Sequence, residues 1–269
     1  MQGRHEAWCT TCGMLHTRSR HGLVFRRVAL ALFATGGLSA CAGHTVQVET
    51  PSAALSADER IARALLDAAE ADPDEVVNDL IALTPEQPSL SWRRDEAGEP
   101  WVQLVAWTDW DGYQAQVGQT VPLGRAIWVT AAPEVQEFCR GTGLTGEALN
   151  ERLTEYLGIR PGAGKPYFVT LWARPSTVVR PCADPSVSAT TCAASDVAED
   201  VQLGTHAHRA WFDDLRGRSY GEGGYPWTRL GYTYDWAAGA SERGASEFVI
   251  PAQTSVEIAA FTTTDEYCR

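Results

Sequence analysis

The sequence is short of positive charge, of histidine and of long apolar runs, and each shortage removes a class of function. Its 22 Lys+Arg stand against 34 Asp+Glu, a formal net charge of −12. A field of that sign repels phosphate backbones and anionic lipid headgroups. A nucleic-acid partner is therefore not expected, and neither is adhesion to a membrane through the protein surface. Six histidines occur, and past His44 only His206 and His208 remain, too few for a histidine-rich metal centre. No apolar run approaches the roughly 20 residues that a spanning helix requires. No internal repeat points to a solenoid or propeller.

An export signal is present. Arg18, Arg20, Arg26 and Arg27 precede a short apolar run at 28–33, and the small residues Ala34, Thr35, Gly36 and Gly37 follow. This order of charge, apolar core and small residues is that of a cleavable signal peptide. The next four residues, Leu38-Ser39-Ala40-Cys41, resemble the lipobox of bacterial lipoproteins. The resemblance implies cleavage before Cys41, diacylation of its thiol and acylation of the new amino terminus. Several acyl chains anchor stably where one is marginal. Residues 1–40 are then a signal peptide, and the membrane is a partner through lipid on Cys41. Ala42, in place of an acidic residue, implies the outer membrane by analogy with the sorting rule of some bacteria. Met14 offers a second start with a more ordinary leader length. The surroundings of Arg26-Arg27 do not match a twin-arginine signal, so general secretion is expected.

Cleavage discards the lone C-x-x-C of Cys9 and Cys12, which is given no role. It leaves Cys139, Cys182, Cys192 and Cys268 beside the lipidated cysteine. Four such cysteines in an exported chain read as two disulfides. Cys182 and Cys192 flank a Pro/Ser/Thr-rich loop and form the natural local pair, leaving Cys139 with Cys268; the other two pairings stay open.

Residues 41–57 have the composition of a tether, and 58–269 are enough for one exported domain with a single core. Ser56-Ala57-Asp58-Glu59 is a capping box, with Ile61, Ala64, Leu65 and Ala68 on one helical face beyond it. Asp72-Pro73 predicts a second helix with Val76, Val77, Leu80 and Ile81 on its apolar side, making 58–84 a helical hairpin. A main sheet domain over 100–269 follows. Strands are predicted near 101–107, 125–130, 166–173, 229–236, 246–250 and 255–261, with Asp111-Gly112 as a turn. Helices are predicted over 133–138, from Thr145 to a stop at Gly158, and over 206–216. Strands outnumber helices without regular alternation, so the expected class is α+β: a mostly antiparallel sheet with flanking helices, preceded by the helical hairpin.

Several motifs fail on context. Gly217-Arg218-Ser219-Tyr220-Gly221 has the letters of a nucleophile elbow, but a helix precedes it, a loop follows, and no histidine lies beyond Ser219; it reads as a helix exit. Gly162-Ala163-Gly164-Lys165 lacks the first glycine of a phosphate loop and has Pro166 where Ser or Thr binds magnesium. His206 and His208, even with Asp213 and Asp214, are equally well explained by capping and first-turn positions, and no metal ligand is assigned.

The densest feature is the aromatic stretch 211–236. Leu230, Tyr232, Tyr234 and Trp236 alternate with Gly231, Thr233 and Asp235, so one strand face is wholly aromatic. Such a face is either a core surface whose phenols reach polar partners or a stacking surface for a sugar or nicotinamide ring. In the second case Asp235, Arg229 and Glu222 lie at its rim, and Trp227 is a further candidate ligand-binding residue. Ser246-Glu247-Phe248-Val249-Ile250-Pro251, with Thr254, Val256 and Ile258, resembles the catalytic-glutamate strand of ADP-ribosyltransferases. The resemblance implies that Glu247 grips a ribose hydroxyl of NAD and stabilises an oxocarbenium-like transition state. The family's Ser-Thr-Ser strand is absent, Tyr232-Thr233-Tyr234 being nearest, and Arg125 and Arg229 both remain open as its upstream arginine.

The sequence therefore predicts an envelope lipoprotein presenting an acidic, disulfide-bearing domain for binding or assembly, with no cofactor and an unspecified protein or glycan partner. One alternative is an NAD-consuming transferase or glycohydrolase with Glu247 catalytic and NAD as substrate. Another is glycan binding or cleavage, using the aromatics with Asp235 and Glu247 as the carboxylate pair.

Overall fold

Local capping and period-two patterning account for most of the elements. The computed structural model describes residues 54–197, 202–203 and 206–269, and the signal segment, Cys41 and the tether to residue 53 lie outside the described residues. Ser56 opens α1 (Ala57–Asp67): its hydroxyl accepts the Glu59 N–H, and the Glu59 carboxylate reaches back to the Ser56 N–H. Ile61 and Ala64 are its buried face. Strands β1 (Trp92–Arg94), β2 (Pro100–Thr108), β3 (Thr120–Pro122) and β4 (Ile127–Ala131) come next. They are followed by α2 (Ala132–Thr142), α3 (Gly146–Tyr156), β5 (Tyr167–Ala173) and two-residue strands β6 (Gln202–Leu203) and β7 (His206–Ala207). Helix α4 (His208–Ser219), strands β8 (Tyr232–Asp235), β9 (Glu242–Ile250) and β10 (Ser255–Thr263), and the short α5 (Thr264–Tyr267) complete the chain.

The fold is α+β, as expected. Eight strands form one sheet in the order β3-β10-β5-β2-β4-β9-β8, with β1 joined to β2, and its neighbours run antiparallel. Alternate residues face opposite sides. On one side Leu104, Val129, Leu171, Phe248, Ile250, Val256 and Ile258 pack with Leu83, Leu90, Tyr113 and Leu123 from the connecting segments. On the other, Val105, Phe168 and Ala245 lie beneath Val135, Leu149, Leu153 and Tyr267, so α2, α3 and α5 cover that face. Each fully buried aliphatic side chain of these layers contributes about 1.5–3 kcal/mol. Gly158, at φ +64°, ends α3 where a Cβ would meet the Tyr234 backbone. The disulfides join Cys139 to Cys268 and Cys182 to Cys192. The first ties α2 to the chain terminus.

The second helix of the expected hairpin does not form. Pro73–Glu75 makes a single 3-10 turn, and the chain then runs without regular secondary structure past the Cys182–Cys192 loop. There the Leu80 N–H donates to Thr190 O at 2.9 Å and the Leu83 N–H to Val187 O at 2.8 Å. Leu80 and Leu83 are buried, so the apolar spacing is satisfied by long-range pairing rather than by a helical face. Other boundaries shift. Helix α2 continues to Thr142, α4 starts at His208, and Asp111–Gln116 is a 3-10 helix rather than a tight turn. The strand expected from 229 begins at Tyr232 because Arg229 adopts φ +62°. Ser219 is the last residue of α4, with its hydroxyl donating to Leu215 O at 2.9 Å.

Candidate functional site

The aromatic face of β8 is covered. Tyr234 and Trp236 pack beneath Ile61, Ala64 and Ala68. Tyr232 packs with Leu80, Leu230 and the Cys182–Cys192 bridge, and Trp227 with Ala183, Val197 and Phe212. Their polar tips are all used: the Trp236 indole N–H donates to Ile159 O (2.9 Å), Trp227 to Pro181 O (3.2 Å) and the Tyr232 hydroxyl to Glu75 O (3.0 Å). Asp235 is held by both Arg152 guanidinium nitrogens at 3.0 and 2.6 Å. Arg229 donates to Ala69 O at 2.8 Å and lies over the Tyr220 ring. Of the stretch, Tyr225 presents an open ring, 51% exposed.

Beside these buried rings a cleft of about 460 Å³ is lined by Glu75, Val77, Tyr232, Tyr234, Glu242 and Arg243, among others. Pre-formed cavities of this size suit small ligands. Tyr232 and Tyr234 thus meet at the cleft, whereas Trp227, Arg229, Trp236, Asp235 and Glu247 are not among its lining residues. Glu75, which closes the 3-10 turn, and Glu242, which opens β9 at φ +65°, bring carboxylates to it, and Asp67 at the end of α1 lies beside them. Their nearest oxygens all lie within 4.8 Å of one another. The Tyr234 hydroxyl donates to Asp67 at 2.9 Å. Burial pushes the Glu75 carboxyl upward, helped by the charges of Asp67, Asp72 and Glu242 and opposed by the Asp72 N–H that it accepts. Burial, then the Glu75 charge, pushes the Tyr232 phenol up to about 12. Chemically the cleft offers carboxylate and phenol oxygens suited to a cation, metal or organic. Sequence reading missed the acids because they are scattered from 67 to 242, and locally Glu75 looks like a capping residue.

Glu247 lies elsewhere. It sits in β9 opposite Thr130, 5% exposed, with its N–H on Gly231 O and no partner for Oε1. Burial pushes its carboxyl well above the usual range; the Arg180 charge and the nearby Trp227 indole offset only part of that. Arg180, fully buried, donates to Ile81 O (2.6 Å), Ala189 O (3.1 Å) and Gly231 O (3.4 Å), and stacks 4.6 Å from the Phe248 ring centroid. Burial lowers its pKa to about 10. Glu134, in the first turn of α2, accepts the Ser246 N–H on both oxygens at 3.0 Å, and burial pushes its carboxyl up to about 7. Neither Arg180 nor Glu134 carries a local motif. Arg125 is exposed. His208 is turned into the core with Nε2 2.7 Å from Cys182 O, and burial lowers its pKa.

No helix among the described residues is long and apolar enough to cross a membrane. Comparison with known protein families, curated proteins and solved structures finds no match to this chain.

Proposed function

We propose that the chain is an exported, lipid-anchored envelope protein whose domain acts by binding a ligand at the cleft beside Tyr232 and Tyr234. One observation carries the address: the charged, apolar and small-residue order of 18–40 ending in Leu38-Ser39-Ala40-Cys41. The disulfides support it, because all four cysteines among the described residues are paired, as in a chain that matures in an oxidising compartment. Binding is favoured over chemistry because Glu247 and Glu134, the carboxyls displaced furthest, do not line the cleft, while the cleft has carboxylates and phenols but no activated nucleophile. Mass spectrometry of the mature amino-terminal peptide tests the address. An acylated Cys41 terminus, with the protein sedimenting with membranes and Cys41→Ser abolishing both, is the expected result. An unmodified terminus at another residue overturns it.

The NAD-consuming alternative has one observation in its favour, the displaced and unpartnered Glu247 carboxyl, since catalytic acids are often so displaced. Against it, Glu247 is closed off and Tyr232 and Tyr234 have covered rings. Release of nicotinamide from NAD by the parent, but not by folded Glu247→Gln, would reinstate it. The glycan reading gains no support from Trp227 or Trp236, whose indoles are both enclosed and hydrogen-bonded.

A further inference from the structure

The most open tryptophan among the described residues is also held in a fixed pose. Trp110, just past the end of β2, is 45% exposed. Its N–H donates to the Thr108 hydroxyl at 3.0 Å. Its ring meets the buried Tyr113 edge-on, with centroids 4.5 Å apart and planes at 78°. The indole also lies across Gly112, where a Cβ would overlap its Cζ2 and Cε2 atoms. Gly112 is not in the left-handed region, so the close approach of the ring is what a glycine serves there. A surface ring already fixed in one pose loses little freedom when a ligand stacks on it.

Polar groups stand beside that ring. The β2–β5 ladder ends with Thr108 opposite Tyr167, which sets the loop after β2 against the turn before β5. There Lys165 Nζ donates to Asp109 Oδ2 at 3.2 Å. Lys165 is the only lysine in the chain, and its backbone is pinned, its oxygen accepting the Thr264 hydroxyl at 2.9 Å. An ammonium has three donors, so the bond to Asp109 leaves two for a ligand, and the exposed Asp109 carboxylate keeps lone pairs open.

We propose that Trp110, Asp109 and Lys165 form a stacking subsite for a neutral saccharide whose hexopyranose rings carry equatorial substituents, as in β-linked glucans. Such a ring has C–H bonds on its flat faces and hydroxyls around its edge. The C–H groups fit the negative face of the indole, and hydroxyls, which both donate and accept, fit a matched Asp–Lys pair. Other stacking ligands fit less well. A nucleotide would carry phosphate into the field of an acidic chain, beside Asp109 and the exposed Asp111. An organic cation would meet the Lys165 ammonium. A bilayer would take charged neighbours out of water. None of the three residues lines the cleft beside Tyr232 and Tyr234, so the subsite does not rest on the reading of that cleft.

Titration of the full-length chain with cellotetraose and chitotetraose, two neutral β-linked tetramers, tests the subsite by calorimetry and by the NMR signal of isotope-labelled, dimethylated Lys165. Reductive methylation keeps the ammonium charged and labels no other side-chain amine. Saturable binding of at least one tetramer, with movement of the Lys165 signal, is the expected result. Trp110→Ala should weaken binding by roughly tenfold or more while melting near the parent. Gly112→Ala keeps the indole but displaces it, and should weaken binding by a similar factor. Tyr225→Ala removes an open ring elsewhere in the chain and should bind as the parent does. The subsite is overturned by no saturable binding of either tetramer, by a Lys165 signal that does not move, or by parent-like affinity in Trp110→Ala or Gly112→Ala. A loss in Tyr225→Ala as large as that in Trp110→Ala also overturns it. Any of these results would leave the cleft reading untouched.

Discussion

The carboxylates of Asp67, Glu75 and Glu242 gather beside the cleft, Asp67 and Glu242 exposed, whereas the charges of half-buried Glu134 and buried Glu247 act on the enclosed Arg180. At the cleft, water and salt screen the three charges, so their crowding costs little and leaves an attractive surface for a cation. In the interior the same side chains need a cation, hydrogen bonds or a bound proton, because an isolated buried charge is far more costly. One side-chain type therefore supplies an open ligand surface in one place and a closed, titratable cluster in the other.

The comparison breaks most severely at Arg180. Arg180→Met should leave the Ile81, Ala189 and Gly231 carbonyls without their buried donor and Glu247 without a nearby cation, and cost about 3–5 kcal/mol in urea unfolding. Part of the loss should return in Arg180→Met/Glu247→Gln. A single variant as stable as the parent would show that the interior cluster is not electrostatically coupled. Trp236→Ala should cost a similar amount, about 3–5 kcal/mol, because the indole lies under α1; full stability would place the ring outside the core.

The pH dependence comes next. Glu134 has a folded pKa raised from 4.5 to about 7. Its contribution is therefore fully present below the unfolded value and lost as pH rises through the folded one. Parent stability should fall by about 2 kcal/mol across that window, allowing for partial exposure of the side chain, and thermal melts of Glu134→Gln should lack that fall. The smallest effect belongs to the open group. Asp67→Asn should raise stability at low salt by no more than about 0.5 kcal/mol, with the gain vanishing at high salt. A large destabilisation would mean that the Tyr234–Asp67 bond, not repulsion, dominates there.

Much of the fold can be read locally. The Ser56–Glu59 capping box, the stop at Gly158 and the period-two strands each depend on residues within a few positions of one another, and each forms as expected. The 76–84 segment does not, because its helix-like apolar spacing is overridden by partners at Val187, Thr190 and Ser246. The site divides in the same way. Tyr232 and Tyr234 stand out by alternation and do meet the cleft, but alternation cannot say whether a ring face is open. Glu247 has a catalytic-looking strand around it, and only its neighbours show that it is enclosed.

By itself the sequence determines the charged, apolar and small-residue order of 18–40, the acidic balance, the positions of the cysteines, and which residues share a helix or strand face, since all of these depend on composition or short spacing. The tertiary structure alone decides which face is covered, that 76–84 is not helical, that Arg180 is buried on three backbone carbonyls, and that Asp67, Glu75 and Glu242 meet. These outcomes depend on long-range packing and on the exclusion of water, and no local pattern encodes either.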